Sequence, residues 1–326
     1  MPLKQLNEDG FFPEDTREIG EAFEPGEGKD ALGITITRRS IRSNGDLTWD
    51  DTPPGFWTQS KMLFEREIKN LIRNPAALGA RFGLTIFMSI LVGIIFWQVG
   101  TTDPTQNLNL QSHFGALIMV MLLSMFGTAQ PALLQFPEER PVFLREYSTN
   151  HYSVLSYFIS RFTMEALVTA IQIWVQVIIT YYFIGFQAGF GIFYATVYVL
   201  SMASTALAVL LGSAVENPKM AQEMLPILFV PQMLFAGFFV APELIPVWLR
   251  WAQYLCTLTY GVRILLVAEF YNCGNPAETA RCNSLVANIG ANPDDTWWYW
   301  LILMILFVFF RGLALFVLRR KATKFF

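Results

Sequence analysis

Six long apolar stretches constrain this chain more than any other feature of its sequence. Each contains roughly 20 mostly apolar residues, the length with which an α-helix crosses the hydrocarbon core of a membrane. Only 15% of the residues are charged, whereas soluble domains carry about 25%. We therefore predict an all-α integral membrane protein with six transmembrane helices. The predicted spans are about 80–99, 113–135, 156–184, 190–213, 224–241 and 297–318.

A further apolar segment, 244–271, is broken by charges and is predicted to be re-entrant or interfacial. Trp248 and Trp251 in this segment suit the boundary between lipid and water.

The distribution of Lys and Arg predicts the orientation. Basic residues cluster before the first span and after the last, whereas loops 100–112, 185–189 and 272–296 together contain one, Arg281. Because basic loops stay on the cytosolic side, we expect a multi-pass protein with both termini in the cytosol. The membrane would be the plasma membrane or an endomembrane.

The first 52 residues differ in composition from the rest of the chain. They contain 12 acidic and 6 basic residues and show little apolar periodicity. We predict that residues 1–52 form an acidic, mostly disordered cytosolic segment, and that 53–326 form the membrane domain.

Two segments outside the spans carry a pattern of their own. In 56–73, apolar residues recur at three- and four-residue steps opposite a charged face, which predicts an amphipathic helix beside the membrane. This helix is either a surface anchor or a docking helix for a cytosolic partner. Segment 136–152 mixes dense charge and two prolines with aromatic residues. It is either a solvated turn or a short cytosolic helix that inserts into another protein.

Arg161, Glu165 and Arg311 fall inside predicted spans, where charge is costly. Arg161 and Glu165 are four residues apart and share one helix face. They either pair with each other or form part of a polar relay. Arg311 lies well inside the last span, with Glu165 or a backbone carbonyl as its candidate partner.

The sequence offers no catalytic or metal-binding constellation. Its two His residues, His113 and His151, are far apart, and no Walker A, signature or Walker B pattern is present. An integral-membrane enzyme is therefore not expected, and nothing predicts a metal site or a nucleic-acid partner.

These segments together resemble a known family. The runs FWTQSKMLFEREIKNLIRNP, IIFWQVG, FPEERPVFLREYSTNHYSVLSYF, FVPQMLFAGFFV and IPVWLRWAQYLCTLTYGVRILLVAEF occur in the order found in the membrane domain of ABCG-type transporters, the White and pleiotropic drug resistance group. The resemblance covers about 54–326.

The resemblance implies a type V ABC exporter fold and a role for each cytosolic segment. It makes 56–73 the connecting helix, with Phe64, Arg66, Ile68 and Arg73, and 138–150 the coupling helix that receives the ATPase stroke. It implies a partner ABC ATPase domain that binds ATP and Mg, a second membrane half, and a lipid, sterol or other amphipathic substrate. The alternatives are an ATP-independent channel or scaffold subunit, or a non-functional truncated half-transporter. The implied coupling residues are Glu138, Glu139, Arg140, Phe143, Arg145 and Glu146.

The resemblance also implies positions along the transport pathway. Phe126 or Gly127 falls where a cavity aromatic is expected, and Phe238 with Phe239 falls where an apolar pair closes the cavity. In each case ordinary packing is the alternative. Cys273 and Cys282 lie in a loop predicted to be external, where a disulfide within the chain is expected.

Overall fold

The structure is a computed structural model that describes residues 41–43, 46–48, 55–101, 107–148, 154–215, 217–237, 239, 245–271 and 276–324. The chain divides into two units, Met1–Thr52 and Pro53–Phe326. In the first unit, strand β1 (Ile41–Ser43) pairs antiparallel with β2 (Asp46–Thr48), Ile41 opposite Thr48. This hairpin lies within the segment predicted to be mostly disordered, and the rest of that segment lies outside the described residues.

The second unit is helical throughout its described part. Its helices in chain order are α1 (Phe56–Arg73), α2 (Pro75–Ile95), α3 (Asn107–Ser148), α4 (Val154–Ile184), α5 (Phe190–Ala214), α6 (Pro218–Phe235), α7 (Arg250–Gln253), α8 (Thr257–Phe270), α9 (Pro276–Asn288) and α10 (Thr296–Lys324). Short 3₁₀ turns, Val247–Leu249 and Pro293–Asp295, precede α7 and α10.

Five segments are long and apolar enough to cross a membrane: Pro75–Ile95, Leu110–Leu134, Val154–Ile184, Phe190–Ala214 and Pro293–Arg320. The chain is therefore an all-α, multi-pass integral membrane protein. The predicted span 224–241 overlaps α6, which carries Lys219 and Glu223 in its first turns and contains Pro226 and Pro231. It is not among the five segments, and the count of six spans stays a prediction.

A sharp junction separates the amphipathic helix from the first span. Asn74 is the residue between α1 and α2, and its Oδ1 accepts a hydrogen bond from Ala77 N at 3.4 Å. Pro75 occupies the first position of α2, where its missing N–H costs nothing. The short sequence Asn-Pro therefore ends one helix and begins the next.

The core of the bundle lies between α3, α5, α8 and α10. Its fully buried side chains include Met121, Leu200 and Leu303. Gly261 of α8 leaves room for the Met121 side chain of α3, since a Cβ atom there would lie 2.8 Å from Met121 Cε. By contrast, only 17% of the span in α2 is buried. Helix α2 thus lies at the edge of the bundle, with most of its apolar surface uncovered.

Candidate functional site

Two ion pairs connect three helices of the bundle. Arg161 Nη1 on α4 donates to Glu67 Oε2 on α1 at 2.6 Å. Arg311 Nη2 on α10 donates to Glu165 Oε2 on α4 at 2.5 Å. We call these four residues the ion-pair network. Because Arg161 and Glu165 are one helical turn apart, α4 links the amphipathic helix to the last span.

The network is largely buried but not fully satisfied. The side chains of Arg311 and Glu165 are each 9% exposed. Among the described residues, Glu165 Oε1 and Arg311 Nε have no hydrogen-bond partner. A cavity of about 20 Å³, enough for one water molecule, lies beside Arg161, Glu165 and Arg311. Arg311 also lies over the ring of Phe162, with its Cζ 5.1 Å from the centroid.

This arrangement answers one structural question left open by the sequence. Arg161 and Glu165 each have an ion-pair partner on a different helix. Glu165 is the partner of Arg311, as one of the two sequence alternatives had it. The part that these residues play as a relay stays a prediction.

The network continues along α4 as a polar stripe. Thr169, Gln172 and Gln176 follow Glu165 on the same helix face, at steps of four, three and four residues. Gln172 Nε2 donates to Thr85 Oγ1 at 2.9 Å and to Gly127 O at 3.2 Å. Gln176 Nε2 donates to Val120 O at 3.0 Å.

Arg81 on α2 joins this stripe. Its Nε donates to Gln172 Oε1 at 2.6 Å, and its Nη2 donates to Thr169 Oγ1 at 3.2 Å. Sequence reasoning missed Arg81 and the stripe beyond Glu165. The helical spacing of polar residues within an apolar span was the signal that could have revealed the stripe.

A second polar cluster lies at the C-terminal end of α8. The Glu269 side chain is fully buried and accepts hydrogen bonds from Gln187 N at 2.8 Å and Ala188 N at 2.7 Å. His113 Nε2 on α3 lies 2.9 Å from Glu269 Oε1. We call these four residues the Glu269 cluster. It joins α8 and α3 to the turn between α4 and α5.

Close backbone contact surrounds the Glu269 cluster. Gly100 N donates to Ile184 O at 2.9 Å. A Cβ atom at Gly100 would lie 2.3 Å from Gly185 O, and Gly185 has a positive φ of 79°. Glycine is required at both positions, since the chain after α2 touches the end of α4. Sequence reasoning missed Glu269 as well, and no spacing could have linked it to His113.

The predicted connecting helix coincides with α1, Phe56–Arg73. Phe64, Arg66 and Ile68 are half-buried, and Arg73 is exposed. The buried residues of α1 are instead Gln59, Leu63 and Glu67.

Hydroxyl groups of α4 hold this helix in place. Ser156 Oγ donates to Gln59 Oε1 at 3.1 Å, and Ser160 Oγ donates to Ser60 O at 2.9 Å. Helix α1 therefore packs against α4 through polar contacts as well as through Leu63.

The predicted coupling segment belongs to α3. This helix continues from the second span to Ser148. The implied coupling residues thus form the last turns of a long helix, not a separate loop or helix. Their side chains lie outside the described part of the chain.

The predicted pathway residues lie in two places. The Phe126 ring packs on Phe229 of α6, with centroids 5.2 Å apart. Gly127 contributes its carbonyl to the polar stripe. Phe239 is 56% exposed after the end of α6, while Phe238 lies outside the described residues. The roles of these four residues stay predictions.

The described cysteines differ in state. Cys282 is buried and disulfide-bonded, whereas Cys256 is buried and free. Cys273 lies outside the described residues, so its pairing with Cys282 stays a prediction. Burial raises the pKa of the Cys256 thiol to about 12. No group of three His, Cys, Asp or Glu residues that could hold a metal occurs within the described ranges.

Comparison with known proteins agrees with this architecture. Residues 58–270 match the family described as ABC-2 type transporter. The chain is 25% identical over 88% of its length to ABC transporter G family member 1 of Dictyostelium discoideum, covering 38% of that protein. It is 29% identical over 66% of its length to the broad substrate specificity ATP-binding cassette transporter ABCG2 of Sus scrofa, covering 33% of it.

A plant relative shows the same pattern. The chain is 32% identical over 64% of its length to ABC transporter G family member 34 of Arabidopsis thaliana, covering 15% of that protein. The chain thus spans well under half the length of these relatives. The match to the ABC-2 type transporter family, residues 58–270, covers nearly all of the amphipathic helix and the bundle through α8. The chain belongs to the ABC-2 type transporter family, and its relatives within that family are ABC transporters of the G family.

Proposed function

We propose that this chain is the membrane-spanning half of an ATP-driven exporter of lipids, sterols or other amphipathic compounds. An ABC ATPase domain that binds ATP and Mg would drive it, and a second membrane half would complete the pathway. Both termini would lie on the cytosolic side, where the basic residues flanking the spans are concentrated. The comparisons support membrane transport in general, and the finer assignment is our inference.

The ion-pair network is the observation that carries this proposal. An ATPase stroke can drive transport only if a cytosolic element is attached to the helices that line the pathway. Helix α1 is attached to α4 by Arg161 and Glu67, and α4 is attached to α10 by Glu165 and Arg311. A displacement of α1 would therefore reach two spans without passing through flexible loops.

The last turns of α3 offer a second route for the same motion. Because α3 is one helix from Asn107 to Ser148, a push on its C-terminal end would act directly on its span. Prolines at 131, 137 and 141 remove backbone donors within this helix. They would let its cytosolic part bend relative to the part in the bilayer.

The test fuses the full chain to an ATPase domain, which serves as the motor. The ATP-binding cassette domain of porcine ABCG2 is fused before the full chain, and the chimera is placed in vesicles with a fluorescent phosphatidylcholine or a fluorescent sterol. We expect movement of at least one probe that requires ATP and is lost when the Walker A lysine of the motor is replaced.

Two results would count against the proposal. Probe movement that is equal with and without ATP would favour a passive channel. A membrane-inserted chimera that hydrolyses ATP but moves neither probe would contradict an exporter of lipids or sterols.

A further inference from the structure

A cleft opens between α1, α2, α3 and α4, beside the ion-pair network. Its volume is about 380 Å³, which falls in the range of small-molecule sites. Its lining includes Asn70, Asn74 and Arg81 together with residues of the network. We call it the Arg81 cleft. The apolar part of its lining includes Leu71, Leu78, Leu134, Met164 and Val168.

Arg81 and the ion-pair network together hold three arginines and two carboxylates. Glu67 is paired with Arg161, and Glu165 is paired with Arg311. Arg81 donates to the neutral groups of Gln172 and Thr169, while the Glu165 carboxylate acts on it electrostatically from beyond salt-bridge distance. Its Nη1 makes no hydrogen bond within the described part of the chain. Because the neighbouring carboxylates are already paired with other arginines, an anionic group would complete this site.

The surroundings of Arg81 match the two ends of a lipid. Arg81 Nη1, which makes no described hydrogen bond, is available to a phosphate. Beyond Arg81, the residues three, seven and ten places further along α2 are Leu84, Met88 and Leu91. Their exposed fractions are 54%, 36% and 39%. They form an uncovered apolar stripe that leads from the cleft along the span.

We propose that the Arg81 cleft binds an anionic phospholipid. Its phosphate lies against the Arg81 guanidinium, and an acyl chain follows the stripe on α2. This inference goes beyond the proposed function and does not depend on it, because binding requires no motor.

The experiment is native mass spectrometry of the purified full chain with phosphatidylserine or phosphatidylcholine. We expect the wild type to retain one phosphatidylserine and to retain phosphatidylcholine about tenfold less. Arg81→Gln should lower phosphatidylserine retention about tenfold. The matched control, Arg73→Gln, removes an exposed basic residue on α1 and should leave retention unchanged.

A second variant separates loss of binding from loss of folding. Ala77→Trp fills the cleft while leaving Arg81 intact, and it should also prevent retention. Equal retention by Arg81→Gln and wild type would overturn the proposal, as would an equal loss in Arg73→Gln. Displacement of the lipid by excess inorganic phosphate would show a simple anion site and would overturn the lipid assignment.

Discussion

The ion-pair network and the Glu269 cluster both bury carboxylates among apolar helices, but they satisfy them differently. In the network, each carboxylate is held by an arginine side chain from another helix, and Glu165 Oε1 is left without a partner. In the cluster, Glu269 is held by two backbone N–H groups, and His113 Nε2, which has no hydrogen bond within the described residues, lies 2.9 Å from its Oε1. Backbone donors are fixed by the fold, whereas long side chains can exchange partners.

This difference indicates which of the two groups of contacts can persist or change partners when helices move. The network adjoins two cavities and joins both α1 and α10 to α4. The Glu269 cluster lies where backbone segments touch at Gly100 and Gly185. We infer that the network transmits motion and that the cluster fixes the bundle against which it moves.

The largest expected effect is on the fixed cluster. Glu269→Leu leaves the N–H groups of Gln187 and Ala188 without their acceptor, so we expect the free energy of unfolding to fall by about 4 kcal/mol. Adding His113→Leu should recover little, because the backbone donors at Gln187 and Ala188 remain unsatisfied. Unfolding of the purified chain in a detergent titration measures both values. Recovery to the wild-type stability would contradict a cluster based on backbone donors.

In the network, unlike in the cluster, replacing both charged partners should restore the stability lost when one of them is replaced. Arg311→Met leaves the charge of Glu165 buried without its partner, and we expect a loss of about 3 kcal/mol. Adding Glu165→Leu should restore stability to within about 1 kcal/mol of wild type, since an apolar pair replaces the ion pair. The same titration measures it. If the double variant were as unstable as Arg311→Met, the two clusters would not differ as we propose.

Sequence patterns accounted for the elements of this fold better than for its contacts. The amphipathic periodicity of 56–73 gave α1 its bounds, because it depends on neighbours three and four residues apart. The partners of Arg161 and Glu165 are 94 and 146 residues away along the chain. Their choice depends on how helices pack, which no local spacing specifies. Glu67 was missed because it was one of several charges on an amphipathic helix.

The same distinction holds for the second cluster and for the long third helix. Glu269 stands in an apolar run with nothing nearby to pair it, and the turn that caps it comes from 81 residues earlier in the chain. The charges and prolines of segment 136–152 predict a segment that is separate from the second span. In the structure the helix continues through them to Ser148, since isolated prolines kink a helix more readily than they end it when its other backbone bonds persist.

The reactivity of the free cysteine, Cys256, should distinguish a change in the Glu269 cluster from a change in the ion-pair network. Cys256 precedes α8, and Glu269 lies in the last turn of the same helix. Because burial raises the thiol pKa to about 12, little thiolate exists at pH 8 and labelling by N-ethylmaleimide should be slow and faster at higher pH.

Variants turn this labelling into a probe of the helix. Glu269→Leu should raise the labelling rate about tenfold, since α8 is no longer fixed at its other end. Arg161→Gln should leave the rate unchanged. Labelled peptides identified by mass spectrometry give the rate at Cys256. A similar increase in both variants would show that α8 is not held by the Glu269 cluster specifically.

The most direct test of the account is a charge exchange between α1 and α4, measured as ATP-dependent probe movement in the chimera. Glu67→Arg and Arg161→Glu should each reduce movement at least about tenfold, because two like charges then face each other across the contact. The double variant restores an ion pair, and we predict movement within about threefold of the unmodified chimera. Single variants that transport normally would contradict the claim that this ion pair transmits the ATPase stroke, as would a double variant no better than either single one.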